Sequence, residues 1–461
     1  MKPARHEVHR RASKIPEIQF EEQKLTSFSG LVIFQKLFQN LDLRERLRCC
    51  FAHVKSSAIF KYHEIVLVLV VHLLLGYRRL RDIIYYQYDP LVLRLLSLRV
   101  MPTVATVSRA LATADEACVA KLRALFQQLC LEVLKQLNLR RITLDFDGSV
   151  LGTKRAAEGT AVGYNKKKKG ARSYYPLFCT IPQTGQVFDF LYRSGNVHDS
   201  NGAKEFILNC IAAVSQALPG IQIEIRMDSA FFSDEIVSAL EDHKGGRISF
   251  TISVPFERFA ELKSLIEERE RWKRLDKETS FFERKWKPKI WNCHRRFIFI
   301  RHKVKIQSKE PIQLDLFIPH EYGYEFKVII TNMKTSASRV LAFHNGRGAQ
   351  EAIFAELKTQ CQMDYIPVTT RVGNQIFLCS AILAHNLGRQ LQMLTQPCER
   401  GTTAKRAALW IFRQLNTLRR VVIQRAGRIT RPHGTITLTI SGNESIKETF
   451  EEILDALSEA A

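Results

Sequence analysis

The spacing of apolar positions changes character near residue 141. Up to about residue 140, apolar residues recur at helical intervals, broken by proline and glycine. Ile65 to Leu75 is an apolar run interrupted by His72 and ending near Gly76. It falls short of the roughly 20 apolar residues that span a bilayer, so it predicts a buried helix. Asp89-Pro90 breaks the pattern before Leu91 to Leu98. Thr103 then caps a predicted helix from Val104 to Ala112, and Ala120 to Leu137 is a long amphipathic one. Short helices of this kind suit either a helix-turn-helix-like DNA-binding module or an ordinary helical bundle. In the first case Thr103, Thr106, Ser108 and Arg109 are the short polar and basic residues that meet DNA.

From Arg141 to Asp147 the alternation has period two, which is a strand. Tyr174 to Ile181 and Gln186 to Tyr192 are two more, joined by the turn sequence Pro182-Gln-Thr-Gly185. A helix follows at Asn201 to Leu218, a strand at Ile221 to Met227, a helix capped by Ser233 and a strand at Ile248 to Val254. Three strands, helix, strand, helix, strand is the order of an α/β ribonuclease-H-like core. Residues 255–335 interrupt it with alternating strands, many Lys and Arg, and three of the four tryptophans. After them Gly348 to Thr359 and Gln375 to Leu394 read as helices, Arg400 to Arg431 as basic and largely helical, Thr435 to Ile440 as a strand, and Glu444 to Ala461 as an acidic helix. The predicted division is a helical DNA-binding domain (1–140), a mixed-sheet catalytic core (141–254 and 336–395), a β-rich insertion (255–335) and a basic helical C-terminal region with an acidic tail (396–461).

Charge adds a partner to this picture. Lys and Arg number 69 against 46 Asp and Glu, a net charge of +23 over 461 residues. So basic a chain suits a polyanion, and nucleic acid gains from counterion release at each neutralised phosphate. The ten cysteines include no Cys-x-x-Cys, which excludes a zinc ribbon and a disulfide framework and reads as reduced core thiols. Basic residues near the start, Lys2 to Lys14, precede no apolar stretch. A cytoplasmic, nucleoid-associated location without membrane contact is the expectation.

Three acids stand where chemistry would need them. Asp147 ends the first strand, and Asp228 ends the fourth. In such a core these strands are neighbours, so both carboxylates face one cleft. Hard oxygen donors suit Mg²⁺ or Mn²⁺. The third is Glu351, four residues after Arg347 and seven before Lys358, so all three share a helical face. Asp145 competes with Asp147, since residues two apart on a strand face the same side, and Glu356 competes with Glu351. Asp189 and Asp199 are weaker candidates. The loop Lys166, Lys167, Lys168, Lys169 to Arg172 is a concentrated positive patch, either solvated or set on a phosphate backbone.

Read together, these segments resemble the DDE transposases of bacterial insertion sequences, in the branch marked by Tyr-x2-Arg-x3-Glu-x6-Lys. Arg347, Glu351 and Lys358 match in register, while His344 stands at the tyrosine position. Leu144-Asp-Phe-Asp-Gly-Ser and Arg226-Met-Asp-Ser-Ala-Phe are similar to the family's two Asp segments, and the likeness runs from about 140 to 395. The resemblance implies Asp147, Asp228 and Glu351 as catalytic metal ligands. It implies Arg347, Lys358 and His344 as DNA contacts. It also implies a β-rich insertion whose tryptophan stacks on a flipped base, for which Trp286 and Trp291 are the candidates by location. Two Mg²⁺ or Mn²⁺ ions about 4 Å apart would bridge a scissile phosphate. The implied reaction is cleavage and strand transfer at the ends of an element, on double-stranded transposon and target DNA, by a homodimer in a synaptic complex. A nuclease or resolvase without strand transfer, and a non-catalytic DNA-binding protein derived from a transposase, are the alternative functions.

Overall fold

The computed structural model describes residues 15–55, 59–154, 156–163, 168–198, 201–243, 247–304 and 323–460. Lys166, Lys167 and Asp199 lie outside these residues. A short strand β1 (Leu25–Thr26) is followed by six helices: α1 (Leu31–Asn40), α2 (Leu43–Cys50), α3 (Tyr62–Leu75), α4 (Pro90–Leu96), α5 (Val104–Thr113) and α6 (Glu116–Gln136). Local chemistry sets their starts. Asp89 caps α4 ahead of Pro90, Thr103 accepts from Thr106 N at α5, and Asp115 accepts from Cys118 N at α6. From Ile65 to Leu75 α3 is buried on all sides, as its unbroken apolar run requires. Among the described residues no helix is long and apolar enough to cross a membrane.

The sheet begins with β2 (Arg141–Gly148), followed by the short β3 (Leu151–Gly152), β4 (Ala161–Val162) and β5 (Arg172–Tyr174). Then come β6 (Leu177–Ile181), β7 (Gln186–Leu191), α7 (Ala203–Ala217), β8 (Gln222–Met227), α8 (Asp234–Glu241) and β9 (Ile248–Val254). The strand expected from Tyr174 to Ile181 is divided, because Pro176 has no N–H to keep a ladder running through it. Helix α9 (Ala260–Glu267) leads to β10 (Lys273–Arg274), β11 (Thr279–Trp286), β12 (Arg295–Lys303) and β13 (Tyr324–Thr331). All the long strands join one nine-stranded sheet, in the order β10-β11-β12-β13-β9-β8-β2-β6-β7. The β2, β8 and β9 strands are parallel, and the other pairs are antiparallel. Residues 255–335 therefore extend the core sheet through β13, whose Val328 to Thr331 pair with Val254 to Thr251.

Helices α10 (Ala337–Asn345), α11 (Gly348–Gln360) and α12 (Arg371–Thr395) complete the centre. Apolar residues of the sheet such as Phe146 and Ile225 share a core with Phe206 of α7 and Ile236 of α8. The sheet's other face carries buried polar residues, among them Asp145, Glu224 and Arg226. Helix α12 is almost wholly buried and belongs to one apolar cluster with α1 to α6, Phe178 and Phe190. The helical region and the sheet thus share a continuous core.

The C-terminal region differs from its reading. Of Arg400 to Arg431 only Leu415–Ile423 is helical. The preceding residues form an irregular segment held against the sheet instead. Leu409 N donates to Gln183 O, and the Arg406 guanidinium holds buried Glu224 at 2.6 and 2.9 Å. These tertiary partners outcompete local helix formation. Of the two last strands, β14 (Gly427–Thr430) pairs with β1 on one side and with β15 (Thr437–Ile440) on the other, and the acidic helix α13 (Glu444–Glu459) packs on α1.

Two core histidines give the fold a pH dependence. Burial pushes His72 and His385 each down to about 4. Both are neutral in native and unfolded chains above about pH 6.5, so they add nothing there. Below it the unfolded chain takes up protons that the native state refuses until about pH 4, so stability is lost as pH falls through that window. At pH 5 each costs about 2 kcal/mol, from 1.4 kcal/mol per pKa unit. Urea midpoints at pH 7 and pH 5 check this, and equal midpoints would contradict it.

Candidate active site at the strand ends

Strands β2 and β8 run parallel with Asp145 opposite Arg226 and Phe146 opposite Met227. One step beyond this register, Asp147 and Asp228 stand side by side at the carboxyl ends. Both are half-buried. Asp228 also turns the chain, since its Oδ1 accepts from Ala230 N at 3.0 Å. Asp147 accepts from Gly148 N at 2.8 Å and from the Arg347 guanidinium at 3.2 Å.

The competing acid is occupied. Asp145 is fully buried and receives two bonds from buried Arg226, at 2.5 and 2.7 Å. Arg226 also donates to the carbonyls of Phe343 (2.9 Å) and Lys405 (2.7 Å), so this pair knits strand, helix and C-terminal segment together. Gly346 makes room for it, because a Cβ there would lie 2.0 Å from the guanidinium.

Helix α11 brings the third acid. Gln350 Nε2 donates to Asp145 O at 3.0 Å, which fixes the start of the helix on β2. Arg347 precedes it on Asp147, and Glu351 is exposed in its first turn. Lys358 is two turns on and lines, with Asp228, a cleft of about 980 Å³ that also borders Lys154, Lys168, Arg258 and Asp364. Of these, Lys154, Arg258 and Asp364 carry no motif that sequence could single out. Lys327 of β13 is a further cation here. Burial, with the Arg347 charge beside it, brings it down to about 8, and it donates to Asn345 Oδ1 at 3.3 Å.

Among the described residues the one group of three metal-capable side chains with donor atoms within 4.8 Å of each other is His53, Asp115 and Cys118, at the start of α6. Asp147, Asp228 and Glu351 do not all lie within that distance of one another. Lys121 Nζ lies 3.0 Å from His53 Nδ1, and Asp115 caps the helix, so this group is tied up in local structure.

Other expected residues take different places. His344 is 1% exposed, with Nδ1 3.0 Å from Thr251 Oγ1 and Nε2 2.9 Å from Ser253 Oγ. Burial, then the charges of Lys327, Arg347 and Arg226, hold it well below its usual pKa. It is a neutral packing residue that fastens α10 to β9, out of reach of a phosphate. Trp291 is also core, 4% exposed and stacked on Phe232 at 4.7 Å, so it presents no face to a base. Trp286 is half-buried, donating to Glu261 at 3.1 Å. It pairs with Arg295 beyond the Thr331–Thr251 rung, which places it toward the opposite end of the sheet from Asp228. Trp272, on the other side of β11, packs under Arg301 at 4.6 Å. Arg109 is exposed on α5 and Lys169 on its loop. Arg172 is bonded to Thr160. Asp189 is buried against Arg123 at 2.7 Å.

Glu356 lies on the inner side of α11, ion-paired with Arg389 and accepting from Leu415 N at 2.9 Å. Glu356→Ala would strand a buried guanidinium and is expected to cost about 3 kcal/mol. Any DNA-processing rate per folded molecule should stay unchanged. Denaturant unfolding and an activity assay on the same preparation check this, and a lost rate with intact stability would reassign the acid.

A family description, transposase DDE domain group 1, matches residues 9–461. Among solved structures the chain is similar to the piggyBac transposase synaptic complex with hairpin DNA, at 13% identity over 78% of this chain and 75% of that one (TM-score 0.39). It is also similar to the Mos1 transposase paired-end complex with left transposon end, at 10% identity over 42% and 60% (TM-score 0.18). The Mos1 mariner paired-end complex with Mn matches at 12% identity over the same shares (TM-score 0.17). No curated protein matches the chain.

Proposed function

The chain belongs to the transposase DDE domain group 1 family, and from that premise we propose that it cuts and joins DNA at the ends of a bacterial insertion sequence by cut-and-paste transposition. The observation that carries this reading is the meeting of Asp147 and Asp228 at neighbouring strand ends, with Arg347, one turn before Glu351, reaching Asp147. The strand order β7-β6-β2-β8-β9, antiparallel then parallel, supports a ribonuclease-H-like core.

Asp147, Asp228 and Glu351 are the catalytic acids in this reading. Their all-carboxylate donor set fits Mg²⁺ or Mn²⁺, and the three would hold two such ions. Bound there, divalent ions polarise the scissile phosphate and favour a deprotonated attacking oxygen. The chain's own residues do the rest. Arg347 Nε is buried without a partner among the described residues, and its guanidinium turns from Asp147 toward the incoming phosphate. Lys358 holds the next part of the same backbone. Both contributions are positioning and electrostatic, as phosphoryl transfer requires. His344 stands where the signature branch has tyrosine and acts through the packing of α10. Double-stranded ends and target DNA are the substrates, bound by a homodimer in a synaptic complex.

The test uses the full chain, Mg²⁺ and duplexes carrying the element's ends. Cleavage at the ends, and joining of pre-cut ends to a plasmid, are expected. Cleavage without joining would replace the reading with a nuclease. Binding without either would replace it with a DNA-binding protein.

A further inference from the structure

A second groove opens beside the cleft. It has a volume of about 610 Å³ and is bordered by Arg79, Arg81, Val104 and Ser108 of the helical region. The cleft and this groove share Gly152, Thr153, Lys154 and Asp364 as lining. The two therefore adjoin across these residues and together form a trough, with Asp228 bordering one part and Val104 and Ser108 of α5 the other. We propose that this trough seats the duplex flank of the DNA being cut, with Arg79 and Arg81 on its phosphates. The inference rests on the transposase reading and adds to it a binding surface made by the helical region.

Three observations carry it. The first is charge. Arg79, Arg81, Lys154, Lys168, Arg258 and Lys358 line the trough, against the carboxylates of Asp228 and Asp364. Such a run attracts a polyanion along its length. The second is the way the arginines are presented. Asp82 Oδ2 accepts from the backbone N–H groups of Arg78 (3.1 Å) and Arg79 (2.8 Å), which holds the 3₁₀ turn Leu80–Tyr85 in shape. Arg81 then projects with 73% of its side chain exposed, its nearest carboxylate oxygen 3.9 Å away. The third is apolar exposure in the same turn and just after it. Ile84, Tyr85 and Tyr88 are 61%, 73% and 80% exposed, and Tyr85 stacks on Tyr77 at 6.0 Å. Exposed rings within a few residues of the arginines that line the trough match the chemistry of nucleic acid, where phosphates meet guanidiniums and sugars and bases meet rings.

The experiment is anisotropy titration of an end duplex onto the full chain at several salt concentrations. Arg79→Ala/Arg81→Ala is compared with Arg284→Ala/Lys285→Ala, an equal loss of charge from the exposed part of β11. The trough variant should lower the salt slope by about 2, from 0.9 per phosphate contact, and weaken binding roughly 10-fold near 0.15 M salt. The β11 variant should keep the wild-type slope. Tyr85→Ala/Tyr88→Ala should weaken binding without changing the slope. Equal slopes for the two arginine-containing variants would overturn the proposal. If the wild type cleaves ends while Arg79→Ala/Arg81→Ala binds as wild type, only this inference fails. If the trough variant loses its slope but no preparation ever cleaves, only the activity reading fails.

Discussion

Asp228→Asn is expected to lower metal-dependent DNA cleavage by at least about 1000-fold, which corresponds to roughly 4 kcal/mol of transition-state stabilisation. The substitution keeps the shape of the site. Asn can still accept the bond from Ala230 N, so the turn after β8 survives and the fold with it. What disappears is one negative charge and one hard oxygen donor at the strand end. Binding of end DNA should hold or tighten, because the cleft loses a charge that repels phosphate. Asp147→Asn and Glu351→Gln should behave alike. Asp147 keeps one acceptor for Gly148 N, and Glu351 is exposed. Single-turnover cleavage alongside equilibrium binding reads both properties at once. Full Mg²⁺-dependent nicking in any one of the three variants would remove that acid from the site.

The second large effect concerns stability. Arg226→Ala leaves the Asp145 carboxylate buried and alone, and it strips a donor from the carbonyls of Phe343 and Lys405. Breaking a buried pair from one side costs about 3–5 kcal/mol, enough to consume much of a domain's stability. Pairing it with Asp145→Leu should recover part of the loss, since no charge is then stranded, though the two carbonyls stay unpaired. Urea midpoints for the single and double variants measure this. A loss under about 1 kcal/mol for Arg226→Ala would show that Asp145 finds water or another partner.

These two residues also show what could be read from sequence. Period-two alternation placed Asp147 and Asp228 at strand ends, and the spacing of Arg347, Glu351 and Lys358 put them on one helical face. Both are local patterns. Asp145 and Asp147 point to the same side of β2, and only the register with β8 reveals that Arg226 lies opposite the first. His344 lies three residues before Arg347 in the chain, but the docking of α10 against Thr251 and Ser253 decides which way it faces. Trp286 and Trp291 were legible as aromatics in a basic stretch. Which end of the sheet they occupy depends on ladders among β11, β12, β13 and β9. The C-terminal segment from Arg400 to Arg431 reads as basic and largely helical. Before Leu415 its side chains instead reach buried acceptors, as Arg406 does on Glu224. Tertiary partners of that kind leave no local trace.

The pairing of β1 with β14 sets a clock on synthesis. Thr26 meets Gly427, so the cover for the first helix emerges from the ribosome roughly 400 residues after the helix itself. At about 5–20 residues per second that is some 20–80 s. Throughout that interval the nascent chain holds α1 without α13, and without the Val422 carbonyl that presses against Gly30. Chaperone engagement of ribosome-bound chains should therefore persist until the final strands are out, and a stop codon shortly before residue 427 should yield a product that never leaves that state.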